Sequence, residues 1–133
     1  MATSDDSTLL CALFDRDVMS IESAADLARM QRVGKVVTLT IAKMKAAARV
    51  GMTTEELDAV AASTFKRFGA RSAPQLTYGF PGFTCVSVND EIVHGIPGPR
   101  RLEPGDVVKI DGTAALGGYI ADAATTILLP PNA

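Results

Sequence analysis

The sequence predicts an α+β fold in which two helices precede antiparallel β-hairpins. Apolar residues recur every three or four positions through residues 23–69, which is typical of amphipathic helices. Residues 72–105 then concentrate glycine and proline, and a Gly-Gly pair divides residues 106–129 into two β-type runs. Helices that precede strands, rather than alternate with them, favour an α+β unit.

The first predicted helix begins at Ser23 and ends near Gly51. Ser23 and Asp26 resemble a capping box in which aspartate replaces the usual glutamate. The apolar face expected of this helix repeats at spacings of three and four: Leu27, Met30, Gly34, Val37, Ile41, Met44 and Ala48.

The second predicted helix begins at Thr53 and carries a capping box, since Glu56 follows three residues later. Gly69 is expected to end it, because glycine readily adopts the left-handed conformation that terminates helices. Its expected apolar face comprises Leu57, Val60, Ala61, Phe65 and Phe68.

The glycine- and proline-rich region contains two short β-type runs, residues 83–88 and 92–96, with Asn89 and Asp90 as the turn between them. A longer hairpin follows, with strands expected over residues 106–114 and 119–129. These antiparallel strands complete the predicted sheet.

The composition excludes several classes of protein. The chain has 133 residues, of which 47% are hydrophobic and 21% are charged, so it is not intrinsically disordered. A net charge of −2 weighs against nucleic-acid binding, and no apolar run approaches the roughly 20 residues of a membrane span. Two cysteines, Cys11 and Cys85, are too few for a disulfide framework, so we expect reduced thiols and a cytoplasmic location.

Residues 1–18 are expected to form a disordered leader ahead of one domain over residues 19–133. The leader is polar and acidic, apart from a short apolar patch at residues 9–14. Met19 resembles a second start, after which the helical pattern begins.

The long hairpin carries two aspartates that point to metal chemistry. If its loop comprises residues 115–118, Asp111 stands directly opposite Asp122 with Cβ atoms about 5 Å apart, although a bulge or another loop would shift this register. Two carboxylates among small and apolar neighbours need a shared proton or a cation, and their oxygens suit Mg²⁺, Mn²⁺, Zn²⁺ or Co²⁺. The spacing alone leaves open that both are solvated strand residues.

Other candidate residues are ambiguous when taken one at a time. His94 is the only histidine and lies in a glycine- and proline-rich segment, where it could be functional or simply exposed. Cys85 reads as a buried structural thiol. Phe80 and Tyr78 flank Gly79 and could line a pocket or pack in the core.

Three stretches of the sequence resemble signatures of the type I methionine aminopeptidases: residues 87–98, 102–111 and 118–125. The helix pair and residues 51–57 are also similar to that family, so the resemblance covers about residues 19–129. It implies the N-terminal half of a pita-bread fold, in which two pseudo-symmetric α+β halves surround a dinuclear metal site. It also implies removal of the N-terminal methionine from nascent proteins, with peptides that begin with methionine as the substrate.

The resemblance assigns roles to individual positions. Asp111 falls on the first metal-ligand aspartate, and Asp122 falls on the second, which bridges both metals. His94 falls on the histidine that contacts substrate and helps to stabilise the transition state. Phe80 and Cys85 match positions that line the pocket for the methionine side chain. The implied cofactors are two divalent ions (Co, Mn, Fe or Zn) in each complete site.

The chain departs from the family after Asp122. The family has three further metal ligands, one histidine and two glutamates, but no His, Glu or Asp follows Asp122 here. We therefore expect weak metal binding, little or no activity of the chain alone, an exposed apolar surface and a tendency to self-associate. Gly112 also stands where the family usually has a β-branched or polar residue, and Gly117 stands where it usually has an acidic or polar one. The alternatives are a non-catalytic half-domain that binds a peptide or partner, and a structural fragment with no activity.

Overall fold

Two helices open the part of the chain that this computed structural model describes, residues 21–131. Helix α1 spans Ala24–Ala47 and helix α2 spans Thr54–Phe68. The leader expected at residues 1–18, the possible start at Met19 and the thiol of Cys11 lie outside the described residues.

Helix α1 begins as predicted, and its buried face matches the predicted one only in part, at Val37 and Met44. The Ser23 hydroxyl accepts a hydrogen bond from the Asp26 N–H at 3.1 Å. Leu27, which was expected in the core, is 45% exposed. The buried residues are Val33, Val36, Val37, Thr40 and Met44. Thr40 can be buried because its hydroxyl donates to the Val36 carbonyl at 2.7 Å, and apolar spacing alone does not register such a residue.

Helix α2 confirms its predicted bounds. The Thr53 hydroxyl accepts from the Glu56 N–H at 3.1 Å, and the Glu56 carboxylate accepts from the Thr53 N–H at 2.9 Å. Gly69 ends the helix in the left-handed conformation, with φ of 69°. Leu57, Ala61 and Phe65 are fully buried on its inner face.

An antiparallel sheet of four strands follows, with a short helix after the first strand. The elements are β1 (Arg71–Ser72), α3 (Ala73–Tyr78), β2 (Cys85–Val88), β3 (Val107–Leu116) and β4 (Tyr119–Leu128). Strand β3 is central, since β1 and β2 pair with one of its edges and β4 pairs with the other. Neither β1 nor α3 is anticipated by the sequence patterns.

The long hairpin has a different register from the one expected. Leu116 pairs with Tyr119, so the loop contains only Gly117 and Gly118, with φ of 61° and 86°. Positive φ at both central residues is the requirement of a type I′ turn, and glycine meets it without strain. Asp111 is therefore paired with Ala124, and Asp122 with Thr113, so the prediction that the two aspartates stand directly opposite each other is wrong. They are diagonal neighbours on one face of the sheet.

The strand expected at residues 92–96 is absent, although the turn at Asn89 and Asp90 is present. His94 adopts φ of 58°, which breaks the extended conformation. The segment instead lies against β2, where the Val86 N–H donates to the Gly95 carbonyl at 3.0 Å and the Gly95 N–H donates to the Ser87 hydroxyl at 2.9 Å.

The two faces of the sheet have different environments. Val108, Ile110 and Ala114 of β3 are fully buried in clusters with residues of α1 and α2. The alternate residues Lys109, Asp111 and Thr113 point to the opposite face. Because directly paired residues share a face, Asp122, Ala124 and Thr126 of β4 lie there too. We call these six residues the site face. None of the helices within residues 21–131 is long and apolar enough to cross a membrane.

Candidate metal and substrate site

The site face brings the two aspartates into direct interaction. Their carboxyl groups share a hydrogen bond, and the Thr113 hydroxyl donates to Asp122 Oδ1 at 2.9 Å. Burial, followed by the hydrogen bond with Asp122 and its negative charge, raises the pKa of Asp111 to about 6, and the nearby His94 acts in the opposite direction. A pair of carboxyl groups this close can share a proton or hold a cation.

His94 and Asp111 line the same cleft, which has a volume of about 250 Å³. The remaining lining residues come from β2, β3, β4 and the segment before His94: Ser87, Ile92, Val93, Lys109, Ala124, Thr125 and Thr126. The His94 side chain is exposed, so it is accessible to a ligand that enters this cleft. The structure thus brings together the sole histidine and the acidic pair.

Two residues that sequence reasoning missed fasten the segment that carries His94. The Lys109 ammonium group donates hydrogen bonds to the carbonyls of Glu91 and Ile92, the second at 2.7 Å. The Ser87 hydroxyl accepts from Gly95, on the other side of His94. The sequence offered one signal for Lys109: it lies two residues before Asp111 in a predicted strand, which places both side chains on one face.

Cys85 lies beside Asp111, because the two residues are paired between β2 and β3. The residue is 5% exposed. Burial, with a further contribution from the Asp111 charge, raises the pKa of the Cys85 thiol to about 11. The thiol is therefore protonated at neutral pH, which makes it a poor nucleophile.

Phe80 is buried, and its ring meets that of Tyr78 edge-on with centroids 6.2 Å apart. Phe80 is not among the residues that line the cleft with His94. Tyr78 is largely exposed, and partial burial, then the charges of Cys85 and Asp111, raise the pKa of its hydroxyl. The Tyr78 hydroxyl thus lies close enough to Cys85 and Asp111 for their charges to affect it.

A buried aspartate outside the cleft anchors the chain that leads into β2. Asp58 of α2 accepts hydrogen bonds from the N–H groups of Phe83 and Thr84 at 2.9 and 2.8 Å, and from the Thr84 hydroxyl at 2.6 Å. These bonds tie the helix to the chain immediately before Cys85. The sequence patterns gave Asp58 no special role, because its partners lie 25 and 26 residues away.

The donor set fits a divalent cation in part. The carboxylates of Asp111 and Asp122 and the hydroxyl of Thr113 are hard oxygen donors, which suit ions such as Mn²⁺, Mg²⁺ or Zn²⁺. Within residues 21–131, no group of three or more His, Cys, Asp or Glu side chains is arranged to hold a metal. Two aspartates therefore leave most coordination positions to water or to other ligands.

Comparison with known proteins places this geometry in a family. The profile of metallopeptidase family M24 matches residues 28–133. Methionine aminopeptidase 2 of Bacillus subtilis is 39% identical over 112 residues, which are 84% of this chain and 45% of that protein. Methionine aminopeptidase 1 of the same organism is 44% identical over 101 residues, 76% of this chain and 41% of that protein. The chain thus spans less than half the length of these relatives.

Solved structures agree with the fold. The methionine aminopeptidase of Thermotoga maritima superposes with a TM-score of 0.79 at 28% identity, over 84% of this chain and 45% of that one. The prolidase of Pyrococcus furiosus, at 20% identity, superposes with a TM-score of 0.68 over 84% of this chain and 32% of that one. The predicted fold, the N-terminal half of a pita-bread architecture, is confirmed.

Proposed function

Because the chain belongs to metallopeptidase family M24, we propose that it carries the aspartate half of a methionine aminopeptidase site. Family membership implies a divalent metal cofactor. The proposed reaction is hydrolytic removal of the N-terminal methionine from nascent proteins, which are made in the cytoplasm.

The observation that carries this proposal is the meeting of Asp111, Asp122 and His94 around one part of the site face. Asp111 and Asp122 share a hydrogen bond, and His94 lines the cleft that Asp111 also lines. Like charges so close together are destabilising unless a proton or a cation lies between them. The arrangement therefore supports a cation site with the His94 imidazole in the same cleft.

The proposal gives each residue a distinct task. Asp111 and Asp122 hold the divalent ion, which we expect to be Mn²⁺, Co²⁺, Fe²⁺ or Zn²⁺, and His94 contacts the substrate. When bound, such an ion supplies Lewis acidity and lowers the pKa of a bound water. Cys85 and Phe80 form the wall against which the methionine side chain packs.

We propose that the single chain performs this reaction poorly or not at all. Two aspartates provide few of the ligands that a hydrolytic metal site needs, and the chain corresponds to 45% of its Bacillus subtilis relative. An ion held weakly by Asp111 and Asp122 would supply little of this chemistry and would anchor the substrate amine poorly.

Titration of Mn²⁺ into the purified chain tests the metal site. We expect binding heats in calorimetry. The free energy of unfolding should rise by RT ln(1 + [L]/Kd), which raises the melting temperature. Asp111→Asn should abolish both effects. The matched control is Asp90→Asn, which removes one carboxylate from the exposed turn after β2. Equal responses of the two variants would contradict the proposal.

Release of methionine from a Met-Ala-Ser peptide tests the reaction. With Mn²⁺ or Co²⁺ present, the chain alone should release little methionine. Substantial release that Asp111→Asn eliminates would show that the missing ligands are supplied by something else, and would overturn the proposed inactivity while supporting the reaction.

The second candidate function is peptide binding without catalysis. Ile92 and Val93 are apolar, are well over half exposed and line the cleft beside His94, which favours a site for an apolar side chain. Saturable binding of Met-Ala-Ser in the presence of a chelator, unaffected by Asp111→Asn, would support this function over the metal-dependent one.

A further inference from the structure

The outer edge of β4 has no partner strand among residues 21–131. This strand is ten residues long and pairs with β3 without a bulge. It contains no Lys, Arg or Pro, and its single charge is Asp122. Natural edge strands are normally protected by such residues or by bulges, because an unprotected edge pairs with other strands.

The register of the hairpin shows which backbone groups face outward. The two residues that flank a two-residue hairpin loop form a hydrogen-bonded pair, and such pairs alternate along the ladder. Leu116 and Tyr119 flank the loop here. The even-numbered residues of β4, from Ile120 to Leu128, therefore direct their N–H and C=O groups to the outer edge.

We propose that β4 pairs antiparallel with β4 of a second copy of this chain, about a two-fold axis at Ala123. Paired residues share a face of a sheet, so a strand that pairs with itself must place its axis at a residue rather than between two. An axis at Ala123 keeps almost the whole strand paired. It also avoids placing Asp122 directly opposite its own counterpart, which an axis at Asp122 would do.

This pairing brings a second acidic pair to the proposed metal site, and in that respect it rests on the proposed function. Ala124 would lie between Asp111 of its own chain and Asp122 of the second copy, all on one face. The two copies of Asp122 become diagonal neighbours, with Cβ atoms about 7–8 Å apart across the axis. Four carboxylates then surround small alanine side chains that leave room for cations.

A second copy suits this edge better than an unrelated strand. Either could satisfy the outward N–H and C=O groups, but only the second copy brings another Asp111 and Asp122 to the same face. The four carboxylates repel each other without cations, so pairing and divalent metal binding should strengthen each other. Removal of Mn²⁺ should therefore raise the dissociation constant of the dimer by about tenfold or more.

Sedimentation velocity of the full chain, in MnCl₂ or in EDTA, tests the pairing. With Mn²⁺ we expect a species of twice the 13.9 kDa chain mass, which dissociates in EDTA. Ala123→Lys should keep the chain monomeric, because the lysines would face each other at the axis on the side away from the aspartates. The matched control, Ala46→Lys, adds the same charge to the exposed surface of α1 and should leave the dimer intact.

A disulfide tests the register independently of those variants. In a Cys11→Ser background, Ala123→Cys should form a covalent dimer on mild oxidation, since an axis at Ala123 brings the two Cα atoms about 4.5 Å apart. The control is Ala121→Cys, whose two copies would lie four residues out of register and should not join. Equal cross-linking of both variants would overturn the proposed register.

The outcomes separate this proposal from the proposed function. A chain that binds Mn²⁺ through Asp111 but remains monomeric would overturn the pairing and leave the proposed function intact. A dimer that Ala123→Cys captures, but whose dissociation constant is the same in Mn²⁺ and EDTA, would support the edge pairing and overturn its link to the metal site. A monomer under every condition, with no cross-link, would overturn the proposal entirely.

Discussion

The pKa of Asp111 is raised by its position in the fold rather than by its neighbours in the sequence. It is flanked along β3 by Ile110 and Gly112, and it is paired with Cys85 on one side and Ala124 on the other. None of these neighbours can neutralise a carboxylate. The partner that can share its proton, Asp122, comes from the diagonal position that the two-residue loop creates.

The first prediction concerns the pH dependence of stability without metal. The pKa of Asp111 is about 6 in the folded chain, above its ordinary value of 3.8, so the folded state binds this proton more tightly than the unfolded state. The contribution of Asp111 to the free energy of unfolding should therefore be fully present below pH 3.8 and be lost as the pH rises through about 6. Urea unfolding in EDTA at several pH values measures this change.

Asp111→Asn should remove that decline and make the metal-free chain at least as stable as the wild type at pH 7. Asp90→Asn, which alters an exposed carboxylate, should retain the decline. A wild-type chain whose stability rises between pH 4 and pH 6 would contradict the assignment to Asp111.

The candidate site residues could be identified from the sequence more reliably than the surroundings of their side chains. His94 and the two aspartates are identifiable, since the chain contains only one histidine and both aspartates lie in predicted strands. The positive φ of His94 and the role of Lys109 are not predictable in this way. Both depend on contacts between a loop and a strand: Gly95 bonds to Ser87, 8 residues away, and Lys109 bonds to carbonyls 17 and 18 residues away.

At the scale of elements, the sequence predicts the bounds correctly where interactions between near neighbours in the chain determine them. The capping box and Gly69 set the ends of α2, because each of those interactions spans only a few residues. The hairpin register was not determined locally, since Ala115 and Leu116 are compatible with either strand or loop. The two glycines decided it by adopting positive φ together. A strand as short as β1 has no periodicity to detect.

The second prediction compares two glycines in different elements. A Cβ atom at Gly95 would lie 2.2 Å from the Val86 carbonyl oxygen and 2.7 Å from Ser87 Cα, both of which belong to the backbone. Gly95→Ala should therefore push the His94 segment away from β2 and lower the free energy of unfolding by about 2 kcal/mol or more. Urea unfolding at pH 7 measures the loss.

Gly34→Ala provides the matched substitution in α1. A Cβ atom there meets nothing within 4 Å, so the change should raise the free energy of unfolding by about 1 kcal/mol through helix propensity alone. If Gly95→Ala proves as harmless as Gly34→Ala, the close contact between residue 95 and β2 does not exist in solution.

At the scale of the whole molecule, the two sides of the sheet are unequal. The helices cover one side and form the core with it, whereas the segment that overlies part of the site face exposes large apolar side chains. Ile92, Val93 and Ile96 are 79%, 64% and 61% exposed. These side chains belong to a loop segment rather than to the open face of the sheet, and exposed apolar patches of this kind mark sites of binding or association.

The third prediction is that this patch dominates the binding of hydrophobic dyes. The double variant Ile92→Ser with Val93→Ser should lower the fluorescence of bound anilinonaphthalene sulfonate by about twofold or more. The control is Leu27→Ser with Leu39→Ser, which removes two partly exposed leucines from the surface of α1. Equal loss of fluorescence in both variants would show that the dye does not distinguish the patch from isolated apolar residues.

The overall architecture was predictable because several separated motifs agreed with one family, and the comparisons confirm that family. The details of the core were less predictable. Apolar spacing placed Leu27 inside and overlooked Thr40, since burial in α1 depends on where the sheet lies beneath the helix. Sequence periodicity shows that a helix has an inner face, but the neighbouring elements determine which residues that face contains.

The solitary histidine makes the chain convenient to observe. Every imidazole signal in a magnetic resonance spectrum must come from residue 94, because the sequence contains no other histidine. That residue lines the cleft and is close enough to Asp111 for their charges to interact. Protonation of the acidic pair, entry of a cation and arrival of a peptide each alter the electric field at this ring. The molecule therefore contains a single-site reporter at the place where its chemistry is expected, and its signals need no assignment.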